Sequence, residues 1–295
     1  MESIQISKGV ASVKNGYEAI AGQINVEYKK PKNSDPLSLN AYLNSAGRTE
    51  FNATSGLKLK ENLFTGIFMH VSDELVKLDI NKDGYIDMPM VKQYNFANRW
   101  HYENDGYIMQ AMIRALSEKR MGGLIDRSYK VGVNTERYEF FLKNGLIFNT
   151  YSHEGESEEN GFNSSLGLIL SGSVHRQDAS FGLKNYDGKE NNLYANLIYD
   201  MSFGKVHKLS VGTSFNADVY DEILSSGLLP ASYGRNEYTS GAFAEYSIVY
   251  KNITAMSGIR IDHNSLIGNV CISSFSFQVR LKRVCAPASV SRKRI

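Results

Sequence analysis

Long apolar runs are missing from this chain of 295 residues. Nowhere does it approach the ~18 consecutive apolar residues of a membrane-crossing helix, which excludes a helical membrane protein. A membrane β-barrel stays open, because its strands alternate lipid-facing and lumen-facing side chains and keep hydropathy modest. Cysteine is scarce: Cys271 and Cys285 both fall in the last 25 residues, so the body has no disulfide or thiolate metal site. Proline numbers only 5 against 25 glycines and 18 tyrosines, a balance that favours short strands and polar turns over helices.

A secretory leader is not readable in Met1-Glu2-Ser3-Ile4-Gln5, which carries neither a basic nor an apolar region; the expectation is a cytoplasmic protein or one lacking its front. Acidic residues stop at Asp262, after which come Arg280, Lys282, Arg283, Arg292, Lys293 and Arg294. The net charge of +2 therefore hides a body, residues 1–262, with 27 basic against 31 acidic side chains. A basic tail raises nucleic acid or anionic lipid as partners, but a solvated or aberrant tail is the plainer reading, and no nucleic-acid partner is expected.

Catalytic signatures are absent as well. No G-x-S-x-G, phosphate-binding loop or dinucleotide fingerprint occurs, and the pair Glu158-Glu159 has no partner for acid–base work. The histidines, His70, His101, His153, His175, His207 and His263, share no zinc spacing, and nothing supports a haem ligand among them. An enzyme is not expected.

What is present is period-2 alternation. From Leu37 onward eleven candidate strands follow one another, from "LSLNAYLN" and "FNATSGLKL" to "GAFAEYSIVY" and "ITAMSGIRID". Each is close to the ~10 residues a tilted strand needs to cross a bilayer. Short turns, as at 60–62, 103–105, 202–206 and 251–252, alternate with long polar segments near 72–94, 117–133, 176–190 and 219–236. Only the turn at 46–48 and the segment 149–161 break that rule. In "LYANLIYDM" one face is Leu193, Ala195, Leu197, Tyr199 and Met201, the other Tyr194, Asn196, Ile198 and Asp200. A soluble β-sandwich alternates too, but the small polar second face suits a wet lumen. Trp100, Tyr102, Tyr107, Tyr199, Tyr246 and Tyr250 fall near strand ends or on apolar faces, as interfacial aromatics do.

The opening stretch has its own pattern. Ile4-x-Ile6 reads as a strand end, Lys8-Gly9 as a turn, and Gly16 and Gly22 bracket Ala19-Ile20-Ala21, allowing backbones to approach closely before Ile24-Asn25-Val26 forms a second short strand. With Ala11-Ser12 and Lys29-Lys30-Pro31, this order and spacing closely resembles the end of the plug domain of TonB-dependent outer-membrane receptors. The resemblance implies an all-β fold, an antiparallel transmembrane β-barrel present in part, about 11 of ~22 strands, preceded by a plug remnant. Its divisions would be 1–32, end of plug; 33–263, partial barrel; 264–295, an aberrant basic tail where alternation collapses. It further implies a signal peptide and most of a plug upstream, so that the chain would be a fragment and inactive alone.

The function implied is energised uptake of a scarce solute, a ferric siderophore, haem, cobalamin or glycan. The partners are the TonB complex of the inner membrane, reached through the missing N-terminal part, outer-membrane lipid, and a small-molecule or glycan ligand held by the long segments. The alternatives are a passive porin or surface-exposed binding barrel, and a soluble β-protein. One further motif stands apart. "DINKDGYID" follows the D-x-[DN]-x-[DN]-G pattern of a calcium loop, with Asp79, Asn81, Asp83, the Tyr85 carbonyl and Asp87 as oxygen donors and Gly84 at the sharp turn. Met90 stands where a bidentate Glu belongs, and an ion-free Asp/Asn/Gly turn cluster is the alternative.

Overall fold

The computed structural model describes residues 3–8, 13–16, 21–74, 76–126, 128–149, 162–204, 206–227 and 229–279. Two strands, β1 (Ser3–Lys8) and β2 (Gly22–Glu27), pair antiparallel as a small separate sheet. Single 3-10 turns at Val13–Asn15 and Pro31–Asn33 flank β2. Of the opening motif, Gly9, Ala11, Ser12, Ala19 and Ile20 lie outside the described residues.

The rest is one antiparallel meander of twelve strands, each paired with its neighbours in sequence. The strands are β3 (Ser38–Leu43), β4 (Arg48–Lys60), β5 (Leu63–Glu74), β6 (Met90–Glu103), β7 (Tyr107–Gly123) and β8 (Lys130–Asn149). They continue as β9 (Phe162–Phe181), β10 (Lys184–Phe203), β11 (His207–Ser226), β12 (Leu229–Tyr250), β13 (Ile253–Asn264) and β14 (Gly268–Val279). The all-β expectation holds.

Two expectations about extent do not hold. First, the sheet does not end at 263: β14 pairs with β13 from Asn264↔Gly268 to Ile253↔Val279. The turn between them is set by Asn264, whose Oδ1 accepts from the backbone N–H of Leu266 and Ile267 at 2.9 and 3.1 Å, and by Gly268 at φ +82. The basic residues of the expected tail, from Arg280 on, and Cys285 lie outside the described residues; Cys271 is an exposed free thiol on β14. Second, three of the four long polar segments are strand. The 176–190 segment is closed by a turn at residues 182–183, 219–236 by a turn at Gly227, and 117–133 is strand up to Gly123 and again from Lys130. Of these four segments only 72–94 keeps a long connection, between Glu74 and Met90, and the sequence's 149–161 segment lies, from 150 to 161, outside the described residues.

The burial pattern is inverted relative to a soluble protein. Among the described residues the buried hydrophobics are Val13, Ala179, Phe243 and Ile272, whereas Asn196, Ser210, Glu245, Arg260, Asp262 and Asn264 are buried polar side chains. Along β13 the faces alternate: Gly258, Arg260, Asp262 and Asn264 are buried while Ile259, Ile261 and His263 are exposed. Leu193, Leu197, Phe215, Tyr246, Ile259 and Phe275 share one exposed outer face. Apolar side chains on the outside of a sheet whose inner face is polar require a nonaqueous surround, and a lipid bilayer supplies it.

That apolar band is shorter than the strands. Outward positions of β10 run Leu193, Ala195, Leu197, Tyr199 and Met201 in its second half but Asn185, Asp187, Lys189 and Asn191 in its first. In β9 the change falls between Val174 and Arg176, in β8 between Tyr138 and Glu136, and in β12 between Tyr238 and Asn236. Strands of 20 residues reach about 65 Å at ~3.3 Å per residue, against a ~30 Å hydrocarbon core. The β7–β8, β9–β10 and β11–β12 hairpins therefore project well beyond the band on one side. Tyr94, Tyr138 and Tyr238 mark the edge of the band there, while Trp100, Tyr102, Tyr107 and Tyr250 mark the opposite edge.

Candidate functional site

The N-terminal segment lies on the inner face. Val13, 1% exposed, drops into the space left by Gly258, where a Cβ would meet Val13 Cγ2 at 2.7 Å. Lys14 Nζ donates to Ser210 Oγ at 2.7 Å and to Asp200 Oδ1 at 3.3 Å, with Glu245 Oε1 at 3.8 Å. Ser210 Oγ in turn donates to Asp200. Arg260 Nη1 donates to the carbonyl of Val13 at 3.1 Å, and Asn196 Nδ2 to that of Lys14 at 3.4 Å.

Arg260 is itself organised by the sheet. Its Nε donates to both oxygens of Asp262, at 2.8 and 2.7 Å, and its Nη2 to Ser214 Oγ at 2.5 Å. The pair is 2% and 0% exposed, and the facing position on β12 is Gly241, where a Cβ would collide with Asp262 Oδ1. A buried pair of this kind is tolerated only with its remaining donors satisfied, and here Val13 and Ser214 complete the set.

The connection from β2 to β3 is also held to this face, on the other flank of the sheet. Arg99 Nη1 donates to the carbonyls of Tyr28 and Lys29 at 2.9 and 3.2 Å. Pro31 and Ser34 press on Gly56, where a Cβ would come within 2.7 Å of Ser34 Cβ. The segment thus bridges β4–β6 and β12–β14 across the inner face.

Between the seated segment and the projecting hairpins lies a polar crevice of about 410 Å3, with Gly16 and Arg260 at one end and Glu190, Asp218 and Tyr220 toward the other. Asp218 accepts from Asn192 Nδ2 and Asn216 Nδ2, both at 2.5 Å, and Glu190 from Tyr220 Oη at 3.2 Å.

The Asp-rich loop is on the projecting side, in the connection between β5 and β6. Asp79 accepts from the N–H of Asp83 (3.1 Å) and Gly84 (3.0 Å), Asp83 from the N–H of Tyr85 (2.8 Å), and Asp87 from the N–H of Ile80 (2.6 Å). Asn81 Oδ1 accepts from the N–H of Asp83 at 3.2 Å, and Gly84 takes φ +84. The loop is pinned to the β7–β8 connection, Ile86 N–H donating to Gly123 O and Ile125 N–H to Gly84 O, both at 2.9 Å. So Asp79, Asn81, Asp83, Tyr85 and Asp87 gather on one tight loop, with the side-chain oxygens of Asp79, Asn81, Asp83 and Asp87 aimed at backbone N–H groups. Among the described residues no three His, Cys, Asp or Glu side chains are arranged to hold a metal ion. In the neighbouring connection, the backbone N–H and hydroxyl of Ser128 both donate to Asp126 at 2.9 Å and hold its carboxyl below the usual range.

Lys14, Asp200, Arg260 and Asp262 were not singled out by motif. Their signal was in the alternation: charged residues at the inward positions of "GIRIDHN" and "LIYDM", between outward apolar ones. The described histidines are scattered, His101 against Glu103 Oε2 at 3.1 Å and His207 against Tyr246 Oη at 2.7 Å; His153 lies outside the described residues.

No family model and no curated protein matches the chain in sequence. Solved structures do match in fold. The siderophore receptor PirA from Acinetobacter baumannii aligns at 15% identity and a TM-score of 0.62, over 95% of this chain and 46% of that one. The ferric enterobactin receptor PfeA from Pseudomonas aeruginosa aligns at 12% identity and 0.61, over 95% and 46%. The copper transporter OprC aligns at 14% and 0.60, over 93% and 46%. This chain spans less than half the length of each of these proteins. A twelve-stranded meander, apolar outside and polar inside, with an N-terminal segment on its inner face, has the fold of the TonB-dependent outer-membrane receptors.

Proposed function

We propose that this chain forms the end of the plug and part of the barrel wall of a TonB-dependent outer-membrane receptor for energised uptake of a scarce solute. The observation that carries the reading is the seat of Val13 and Lys14 on the inner face, made by Arg260, Asp200 and Ser210. An element seated inside a wall blocks a lumen and adds nothing to closing it. Its seat is mostly hydrogen bonds and the ion pairs of Lys14 with Asp200 and Glu245, and in a wet lumen each such hydrogen bond exchanges for water at a net cost of about 0.5–1.5 kcal/mol. A pull by an inner-membrane partner, proposed to be the TonB complex, can therefore release it without unfolding the wall.

The solute is a small molecule or glycan, of the classes ferric siderophore, haem, cobalamin or oligosaccharide, and reaches the lumen from the side of the projecting hairpins. The 79–87 loop is proposed to take Ca2+ in the weak extracellular range of about 10⁻⁴–10⁻³ M. Its five oxygen donors on alternate residues around Gly84 support this. Limited proteolysis of the 75–89 connection tests it: protection by millimolar Ca2+ but not Mg2+ is expected, and identical cleavage rates with and without the ion overturn it.

Fractionation and conductance test the receptor reading. The chain is expected in the outer-membrane fraction, and its recovery in the aqueous fraction without detergent overturns the reading. In planar bilayers Lys14→Ala combined with Gly258→Val is expected to raise conductance by unseating the segment. Steady conductance that is the same with and without these changes favours a passive pore.

A further inference from the structure

A cavity of about 610 Å3 separates the polar face of the small β1–β2 sheet, Gln5, Asn25 and Glu27, from the inner wall of β6–β8. The wall contributes Arg99 and Lys143, the connection after β2 adds Lys30, and Glu27 is the only carboxylate among the described lining residues. Glu27 accepts from Ser3 Oγ at 3.2 Å. Lys143 is exposed into the cavity and has no hydrogen-bond or ion-pair partner among the described residues.

Two smaller cavities, of about 250 and 260 Å3, adjoin it on the same wall, one sharing Arg99 and Met112 with it, the other Met112 and Phe141. They add Arg114 and Arg137. Arg114 Nη1 lies 3.2 Å from Glu139 Oε2, and Arg137 Nε donates to Glu139 Oε1 at 2.6 Å, so two guanidiniums share one carboxylate. Along the three cavities Lys30, Arg99, Arg114, Arg137 and Lys143 face two carboxylates, Glu27 and Glu139. The register spaces these cations evenly. Arg137, Arg114 (opposite Glu139), Arg99 (opposite Met112, itself opposite Phe141) and Lys143 occupy four successive inward rows of β6–β8. Each row is two residues, about 6.6 Å, from the next. A cleft lined by one sign of charge between low-dielectric walls focuses its potential inward. On the adjoining strands β10 and β11 the sign reverses, with Glu190 and Asp218 at the polar crevice.

We infer that the inner wall of β6–β8 is a binding track for a small organic polyanion carrying two or more carboxylates, held between this wall and the small sheet. Guanidiniums bind carboxylates through paired, charge-assisted hydrogen bonds, and Lys143 offers an uncommitted ammonium at the inner end of the row. The cavity of about 610 Å3 lies within the ~300–1,000 Å3 of small-molecule sites. An anion entering from the projecting hairpins meets Arg137 and Arg114 first, then Arg99 and Lys143 beside the small sheet. Glu190 and Asp218 turn it away from β10 and β11. Solutes that are neutral or cationic gain nothing from the row. The inference rests on the receptor reading for its biological direction and narrows the solute to anions, while binding itself is measurable on the chain alone.

The test is calorimetric titration of the refolded chain in detergent with citrate and, separately, with sucrose and spermidine. Citrate is expected to bind saturably and to weaken as salt rises, while the neutral and cationic probes give no saturable heat. Arg114→Gln with Lys143→Gln is expected to weaken citrate at least tenfold. Glu139→Gln, which releases two guanidiniums from their shared carboxylate, is expected to tighten it severalfold, a gain that misfolding cannot imitate. Asp221→Asn makes the same change of charge at an exposed position on the outer face of β11 and is expected to leave citrate binding within twofold. No citrate binding, equal binding of sucrose or spermidine, or citrate binding untouched by the double change overturns the inference. So does a gain from Asp221→Asn equal to that from Glu139→Gln, or no gain from Glu139→Gln. Outer-membrane insertion of the unaltered chain is read in parallel. If the chain inserts and citrate does not bind, the inference fails while the receptor reading stands; if it does not insert, the receptor reading fails whatever the titration gives.

Discussion

Arg260 on β13 donates from Nη1 to the carbonyl of Val13, 247 positions earlier in the chain, at 3.1 Å, while its Nε holds both oxygens of Asp262. One guanidinium thereby joins the N-terminal segment to the wall and neutralises a carboxylate that is 0% exposed. Replacing it with an apolar side chain strands that carboxylate. Arg260→Met is expected to destabilise the folded chain by about 3–5 kcal/mol, as removal of one member of a buried pair does. In Arg260→Met with Asp262→Leu most of that loss is expected to return, because no buried charge remains. Urea unfolding in detergent micelles checks both, and equal destabilisation in the single and double variants would show that the ion pair is not what matters.

Seating of the segment is separable from stability of the sheet at Gly258. A side chain there would have its Cβ 2.7 Å from Val13 Cγ2 and 3.1 Å from Ser274 Oγ, so Gly258→Val is expected to push Val13 off the wall. The measurement is protease cleavage near residues 13–16, which should rise severalfold. Overpacking of this kind costs about 1–3 kcal/mol when the neighbours cannot move. Val13 can move, because the segment bearing it lies on the sheet and forms no part of it. The unfolding midpoint should therefore shift little. A large drop in the midpoint without new cleavage would place the strain in the sheet.

The meander was legible in the sequence wherever the two faces differ in polarity. Leu193, Ala195, Leu197 and Tyr199 against Tyr194, Asn196 and Asp200 announce a strand, and β10 has those faces. Where the strand leaves the membrane the contrast vanishes: Asn185, Asp187, Lys189 and Asn191 point outward to water, while Glu190 and Asn192 point inward to a wet lumen. Polar on both faces reads as loop, so the sequence presents the projecting hairpins as long connections where the chain is strand. β14 was missed for a related reason, since Ser273, Ser274 and Ser276 dilute its alternation on both faces. The Asp79–Asp87 pattern was legible as a tight loop, because a short carboxylate bonds its own backbone two to five residues on. The inner-face pairing of Arg260 with Val13 was not, because no local pattern records a contact between residues 247 positions apart.

Above the apolar band Asp178 and Asp187 face each other across β9 and β10. A hydrogen bond with Asp187 raises the carboxyl of Asp178 above its ordinary value, with some burial and the charges of Asp187 and Glu136 acting the same way and Arg176 opposing. A carboxyl whose folded value is raised contributes stability below its unfolded pKa and loses it as pH rises through the folded value. The β9–β10 hairpin end is therefore expected to be best protected in mild acid and to loosen toward neutral pH. Asp187→Asn, which keeps a hydrogen-bonding group and removes the like charge, should abolish that dependence. Amide hydrogen exchange in residues 176–190, corrected for the intrinsic effect of pH, reads it out; an unchanged pH profile in the variant would assign the effect elsewhere.

The two faces of β13 give the sharpest test of where lipid lies. Ile259 and Ile261 are 52% and 57% exposed on the outer face, one residue away from Arg260 and Asp262, which are buried on the inner face. An arginine at a lipid-facing position costs about 2–4 kcal/mol near the bilayer midplane and about 0–1 near the interfaces. Ile259→Arg is thus expected to impair folding into phospholipid vesicles by that larger amount while leaving folding in detergent micelles nearly unchanged, since a micelle deforms around the charge. Asn192→Arg, inward on β10 beside the acidic crevice, should fold into vesicles as readily as the unaltered chain. The reverse order, with Asn192→Arg excluded from vesicles and Ile259→Arg accepted, would turn the sheet inside out and dismiss the barrel. A soluble sheet would instead show no difference between vesicles and micelles for either variant, so the comparison separates all three arrangements by one measurement on two positions.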